Sequence, residues 1–368
     1  MVTSILIFLA VLVALIVVHE FGHFIAAKLA GMRVDEFGIG YPPKAAGFKR
    51  GETEYTLNWL PFGGFVRIYG EDQEAIDEDP KDGSRAFFKK PRIVQALVLV
   101  AGIAMNLVFA WILLSITLGI GAPRALEASD LETAHDPYVL VSSILPGSPA
   151  SEAGFKPGDR IVSASAAGET FTSADADLFT AFVSSQEEPI TFVLEQKGEE
   201  RTVTATPRSG LSDVDPDRRI LGVGVASVGM VRTPWLMAPI EGLVLTWDLT
   251  KATAVGLVSF FGSIFMLSAD LSQVSGPVGI AGAVGDAAGT GIAELLTLTA
   301  VISINLALIN VLPIPALDGG RLLFVVVEAI ARRPLPRQFQ SWVNGVGFAL
   351  LILLMIVVTA SDIFKIAG

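Results

Sequence analysis

Apolar positions along this chain gather in four long runs, at about 4–27, 93–120, 295–331 and 340–360. Each is long enough to cross a bilayer as a helix. Between the first two, residues 33–70 switch to short strand-like stretches (VDEFGIG, ETEYTLNWL, FVRIYG). Gly38, Gly40, Pro42, Pro43, Gly63 and Gly64 punctuate them, which predicts a β-hairpin or small meander. Residues 121–232 are also β-rich, with strand-like text at 139–164 and 189–207. The segment 252–268 is apolar but short. The run at 295–331 is too long for one straight helix and is interrupted by Pro313 and Pro315, and a broken helix in a bilayer is tolerated only where protein or a water-filled cavity covers the freed backbone.

Basic residues orient these runs. Lys28 and Arg33 follow the first, Lys89, Lys90 and Arg92 precede the second, and Arg332, Arg333 and Arg337 separate the last two. One arrangement satisfies all three clusters, with both termini outside and residues 28–92 and 332–339 inside. A lone crossing at 252–268 would invert everything after it, so 233–293 reads as amphipathic, interfacial or re-entrant helix. The prediction is a polytopic α-helical membrane protein of about four transmembrane helices with a membrane-associated β-hairpin and one β-rich extracytoplasmic domain. Its divisions are 1–120, 121–232, 233–293 and 294–368.

His19, Glu20, Phe21, Gly22 and His23 lie within the first apolar run and form an HExxH pattern. Positions i and i+4 share a helix face, so both imidazoles can meet one metal ion. Glu20, one step round the helix, can act as general base on a water activated there. A chance match in a soluble helix would be unremarkable. Here it would strand polar groups in hydrocarbon, so a functional cluster is the better account. A cleaved signal peptide does not fit either, because the run is too long and lacks a basic start.

A zinc hydrolase usually draws three ligands from the protein, and the candidate third is Asp318, a lone carboxylate just after the proline break. Measured from the basic clusters, His23 is five positions from Lys28 and Asp318 fourteen from Arg332. At ~1.5 Å per helical residue their depths differ by about 13 Å, which an unwound or tilted segment must close. The alternative for Asp318 is a helix-start aspartate ahead of two glycines.

Composition narrows the classes further. Of 368 residues, 52% are hydrophobic and 17% charged, which suits a membrane protein with a modest soluble part. A net charge of −11 argues against nucleic acid as a partner. There is no cysteine, so thiolate metal sites and disulfides are excluded.

HEFGH in the first run, TLNWLPFGGFVRIYG at 56–70, SGPVGIA at 275–281 and SINLALINVLPIPALDGGRLL at 303–323 together resemble the site-2 protease family of intramembrane zinc metalloproteases. The closer resemblance is to its bacterial regulator-of-sigma-E protease group. The resemblance implies zinc as cofactor, His19, His23 and Asp318 as its ligands, and Glu20 as catalytic base. It implies that Asn305, Asn310, Pro313 and Pro315 help hold the substrate. It also implies a bacterial inner-membrane enzyme that cuts the membrane segment of a single-pass protein, of the anti-sigma factor or remnant signal-peptide type. In the family, the hairpin dips toward the site and can bind an unwound substrate strand. PGSPA at 146–150 and GFKPGD at 154–159 resemble a bacterial protease-type PDZ domain, which binds chain ends by strand addition or acts as a steric filter. Two departures stand out. Arg321 replaces a histidine that many relatives carry after LDGG, and the outer stretch has room for one PDZ module where some relatives carry two.

The remaining signals are weaker. Gly102 and Asn106 in the second run read first as close helix packing, and in the family such a pair resembles a packing motif beside the active site. The acidic stretch 71–82 reads as a solvated loop, and His135 as a surface residue. The rival functions are a PDZ-bearing membrane scaffold without catalysis and a zinc or proton transporter. Transporters often show matched broken helices in two halves, and only one broken helix is legible here.

Overall fold

The computed structural model describes residues 2–71, 80–126, 131, 134–196, 198–211, 217–266 and 276–367. Most of the acidic stretch 71–82, and Ser275 at the head of SGPVGIA, lie outside them. The chain divides into two compact units, Met1–Thr117 with Trp235–Gly368, and Leu118–Pro234.

The first unit opens with α1 (Val2–Leu29), continuous through the HExxH pattern. β1 (Val34–Arg50) and β2 (Thr53–Ile68) then pair antiparallel. This is more than a simple hairpin, because residues 37–39 are flanked on both sides: Phe37 by Val66 and Tyr55, Gly38 by Phe65 and Thr56, Ile39 by Gly64 and Leu57. The far end carries exposed Tyr41, Leu57, Trp59 and Leu60. The near end is tied down at Glu52, whose carboxylate binds Lys28 at 2.6 Å and Arg85 at 2.6 and 2.7 Å. Those cations hold Glu52 down to about 2, with the Arg85 hydrogen bond foremost. α2 (Arg92–Ile120) follows. Ala27, Met32, Val34, Ile68, Val98 and Val325 bury one another around this base.

Among its described residues the second unit holds seven strands, β3 (Ala122–Ala125), β4 (His135–Ile144), β5 (Arg160–Ala166), β6 (Glu169–Phe171), β7 (Ile190–Gln196), β8 (Glu199–Ala205) and β9 (Val223–Val231). They order as β3-β9-β4-β5-β7-β8, with β6 beside β5. Two short helices, α3 (Pro149–Ala153) and α4 (Ala176–Ser185), sit in the connections. The PGSPASEAG text explains α3: Ser148 caps it, Pro149 occupies the first turn, and Gly154 ends it at φ 84°. A separate core of Val139, Phe155, Phe179, Ile190, Phe192 and Leu194 fills this unit. His135 is exposed on β4.

The chain then returns to the first unit through α5 (Ala238–Phe265), α6 (Pro277–Thr290), α7 (Ile292–Val311), α8 (Asp318–Ala331) and α9 (Arg337–Ala367). α5 is one unbroken helix of 28 residues, starting well before the apolar segment at 252–268. Among the described residues, five helices are long and apolar enough to cross a membrane: α1, α2, α5, α7 and α9. α8 has 14 residues and continues α7 after the proline break. The coarse expectation of a multi-pass helical membrane protein with antiparallel sheets therefore holds.

Candidate functional site

His19 and His23 lie one turn apart on α1, both buried at 8% exposure. Their Nε2 atoms are 3.1 Å apart. Asp318, the first residue of α8, brings Oδ2 to 2.9 Å from His19 Nε2 and 3.2 Å from His23 Nε2. Three donor atoms from two distant stretches of chain thus converge on one point. Ligands held at ~2.0–2.2 Å around one tetrahedral zinc stand roughly 3.3 Å from one another. The observed separations are close to that, and two neutral imidazoles with a carboxylate are a donor set that zinc accepts.

The local sequence explains how the aspartate is delivered. α7 stops at Val311, and Leu312–Leu317 bends and turns across the Pro313–Pro315 break, with Ala316 at φ 71° and Leu317 N donating to the Ile314 carbonyl at 3.2 Å, before α8 begins. Gly319 and Gly320 let this segment fold back onto the helix start. A Cβ on Gly319 would lie 2.2 Å from the Leu312 carbonyl oxygen, and one on Gly320 2.3 Å from that of Ile314. The carboxylate sits at the helix N-terminus, where the macrodipole favours negative charge.

The 13 Å depth mismatch disappears for a definite reason. Glu328 on α8, itself buried, pairs with Arg92 at the start of α2 at 2.8 Å. Asp318 and Glu328 are ten positions apart, as are Arg92 and Gly102 beside His23. Arg92 and Glu328 are therefore the level markers: Arg332 projects about a turn beyond them, and Lys28, only five positions from His23, falls more than a turn short of them.

α2 furnishes the floor of the site. Gly22 and Gly102 allow the two helices to touch, since a Cβ on Gly22 would meet the Ala101 carbonyl oxygen at 2.4 Å. One on Gly102 would meet His23 Nε2 at 2.3 Å. His23 Nδ1 donates to the Val98 carbonyl at 2.8 Å, and Asn106 Nδ2 lies 3.1 Å from His19 Nδ1. Asn106 is thus more than packing. Sequence reasoning singled it out for its spacing to Gly102 and missed its contact with an imidazole 87 positions away.

The other predicted residues are placed as follows. Glu20 is partly buried on α1, and its Cγ would lie 3.7 Å from a Cβ on Gly64, so β2 runs beside it. Asn310 is buried in the last turn of α7. Asn305 turns back to the Val301 carbonyl at 2.9 Å. Pro313 is exposed at the break and Pro315 packs against Gly347 of α9. Arg321 forms an ion pair with Glu71, at the exit of the hairpin.

Buried imidazoles, a carboxylate and an adjacent glutamate on apolar helices define a membrane metallohydrolase. The particular family follows from comparison with known proteins. The profile of peptidase family M50 matches residues 7–354. The chain is 36% identical over 351 residues to a Clostridium perfringens protein carrying a provisional zinc metalloprotease name, covering 95% of each. It is 31% identical to the zinc metalloprotease RasP of Geobacillus kaustophilus, covering 98% of each, and 29% identical to the regulator of sigma-W protease RasP of Bacillus subtilis, covering 99% of each. The chain belongs to peptidase family M50, the site-2 protease family, and is a zinc metalloprotease.

Proposed function

We propose that this protein is an intramembrane endopeptidase of the bacterial inner membrane, cutting the membrane segment of single-pass proteins in regulated intramembrane proteolysis. The observation that carries this reading is the convergence of His19 Nε2, His23 Nε2 and Asp318 Oδ2 among apolar helices. These three are the zinc ligands and Glu20 is the catalytic base. Bound zinc polarises the scissile carbonyl and acidifies water. Glu20 accepts a proton from the attacking water and returns it to the leaving amine. Asn305, Asn310, Pro313 and Pro315 hold the substrate near the site, and the β1–β2 sheet offers an edge to a segment unwound into extended form.

Four spans, α1, α2, the broken α7–α8 and α9, put both termini outside and the basic clusters inside. In this topology α5 lies along the outer interface. Its Glu241, Asp248 and Lys251, with exposed Trp235 and Trp247, suit that depth better than a bilayer centre. The second unit is a PDZ-like domain on the outer side. Substrates are of the anti-sigma factor or remnant signal-peptide type, the first supported by a relative named for sigma-W regulation. Zinc content and cleavage of a model single-pass substrate, for wild type and Glu20→Gln in bilayers, test the reading. We expect the variant to keep zinc and lose cleavage by roughly 10²–10⁴-fold. Undiminished cleavage would remove Glu20 from the chemistry.

A further inference from the structure

The two imidazoles are held from behind by different groups. The Val98 carbonyl can only accept, so His23 carries its proton on Nδ1 and turns a bare Nε2 toward the convergence point. Asn106 presents an amide, which can donate or accept. With Nδ2 donating to His19 Nδ1, the His19 proton sits on Nε2 and faces Asp318. In that setting Asn106 Oδ1 is buried without a hydrogen-bond partner. When His19 Nε2 is a ligand, its proton must move to Nδ1 and requires an acceptor. A half-turn of the amide about χ2 supplies one.

We propose that Asn106 is a positioning residue of the zinc centre, whose Oδ1 accepts Nδ1–H of His19 and so fixes the tautomer that leaves Nε2 free for the metal. The surroundings fit this role. Val98, Gly102 and Asn106 recur every fourth residue on one face of α2, giving a carbonyl, a gap for a ring and an amide in succession. Asn106 is fully buried, and Ser303 on α7 donates to its backbone carbonyl at 2.8 Å, fixing its level. An amide serves either tautomer of His19 without moving the ring, which neither a hydroxyl one bond shorter nor an apolar side chain can do.

This inference rests on His19 being a zinc ligand, and the test separates the two claims. The full chain, reconstituted in nanodiscs, has three histidines, and His135→Gln leaves only the two in the site. The ¹⁵N imidazole spectrum of zinc-loaded protein should then show both rings protonated at Nδ1 and metal-bound through Nε2. A His19 ring bound through Nδ1 overturns the proposal in the wild-type site, with no Asn106 variant needed. Chelator competition on Asn106→Leu, which keeps bulk and removes the acceptor, should show zinc binding weakened roughly 10- to 100-fold. Asn106→Asp, which keeps an acceptor, should restore affinity to within a few-fold of wild type. Equal affinity of the leucine variant and wild type, or equal loss in both variants, overturns the role of Asn106. Unchanged zinc affinity in His19→Ala would instead overturn the ligand assignment itself.

Discussion

At the scale of single residues, the site depends on side chains that are absent as much as on those present. Gly102 leaves the space that the His23 ring occupies, and α2 backbone blocks retreat of α1 at Gly22. Gly102→Ala should therefore displace the imidazole while costing the helix little, since alanine is the better helix former. We expect zinc binding to fall by at least tenfold with helical content unchanged, measured by chelator competition and circular dichroism. Wild-type affinity in this variant would mean the ring has freedom to move that the packing denies. The HExxH pattern and the lone Asp318 were legible in the sequence, because helical spacing and the cost of polar groups in hydrocarbon are local arguments. The contacts of Val98 and Asn106 with the imidazoles were not, because helix pairing fixes them across 75 and 87 positions. Only the glycine–asparagine spacing hinted at them, and packing explained that spacing equally well.

At the scale of elements, two joints hold the working parts in register. The first is the fold-back of Leu312–Leu317 onto α8. Gly319→Ala would push a Cβ into the Leu312 and Val311 carbonyl oxygens, so the aspartate-bearing segment must shift. The expected result is loss of both zinc and cleavage, and retention of either at wild-type level would contradict the geometry. The proline break was legible as an interruption, but counting from Lys28 and Arg332 left a depth gap to be closed, because the Arg92–Glu328 pair and not those two residues sets the level. The second joint is Glu52, which ties the sheet to Lys28 and Arg85. Its carboxylate is held down to about 2, below the ordinary value near 4.5. A depressed carboxylate contributes stability above its unfolded pKa and loses it as pH falls toward the folded one. Glu52→Gln should thus lower the unfolding free energy at pH 7, by on the order of 1 kcal/mol for so partly exposed a cluster. The gap to wild type should close between about pH 4.5 and pH 2. A gap independent of pH would show that the charge on Glu52 does not carry the joint.

At the scale of the whole molecule, the proposed ligands and base all belong to one unit, and the second unit has its own core. That unit leaves and rejoins the chain at neighbouring points, because Thr233 N donates to the Leu118 carbonyl at 2.9 Å. An excision of 121–231 can therefore be closed with a short linker without forcing α2 and α5 apart, since tolerance to deletion follows from what the affected backbone bonds to. We expect the excised protein to keep wild-type zinc stoichiometry and to cleave a model substrate with a short outer tail. If the second unit acts as a steric filter, cleavage of a substrate with a bulky outer domain should rise relative to the full chain. If it recruits substrate by strand addition, cleavage of substrates bearing the recognised tail should fall, while tail-less ones are unaffected. Loss of zinc on excision would show that the two units are not independent, and that zinc binding draws support from outside the helices that bear the proposed ligands.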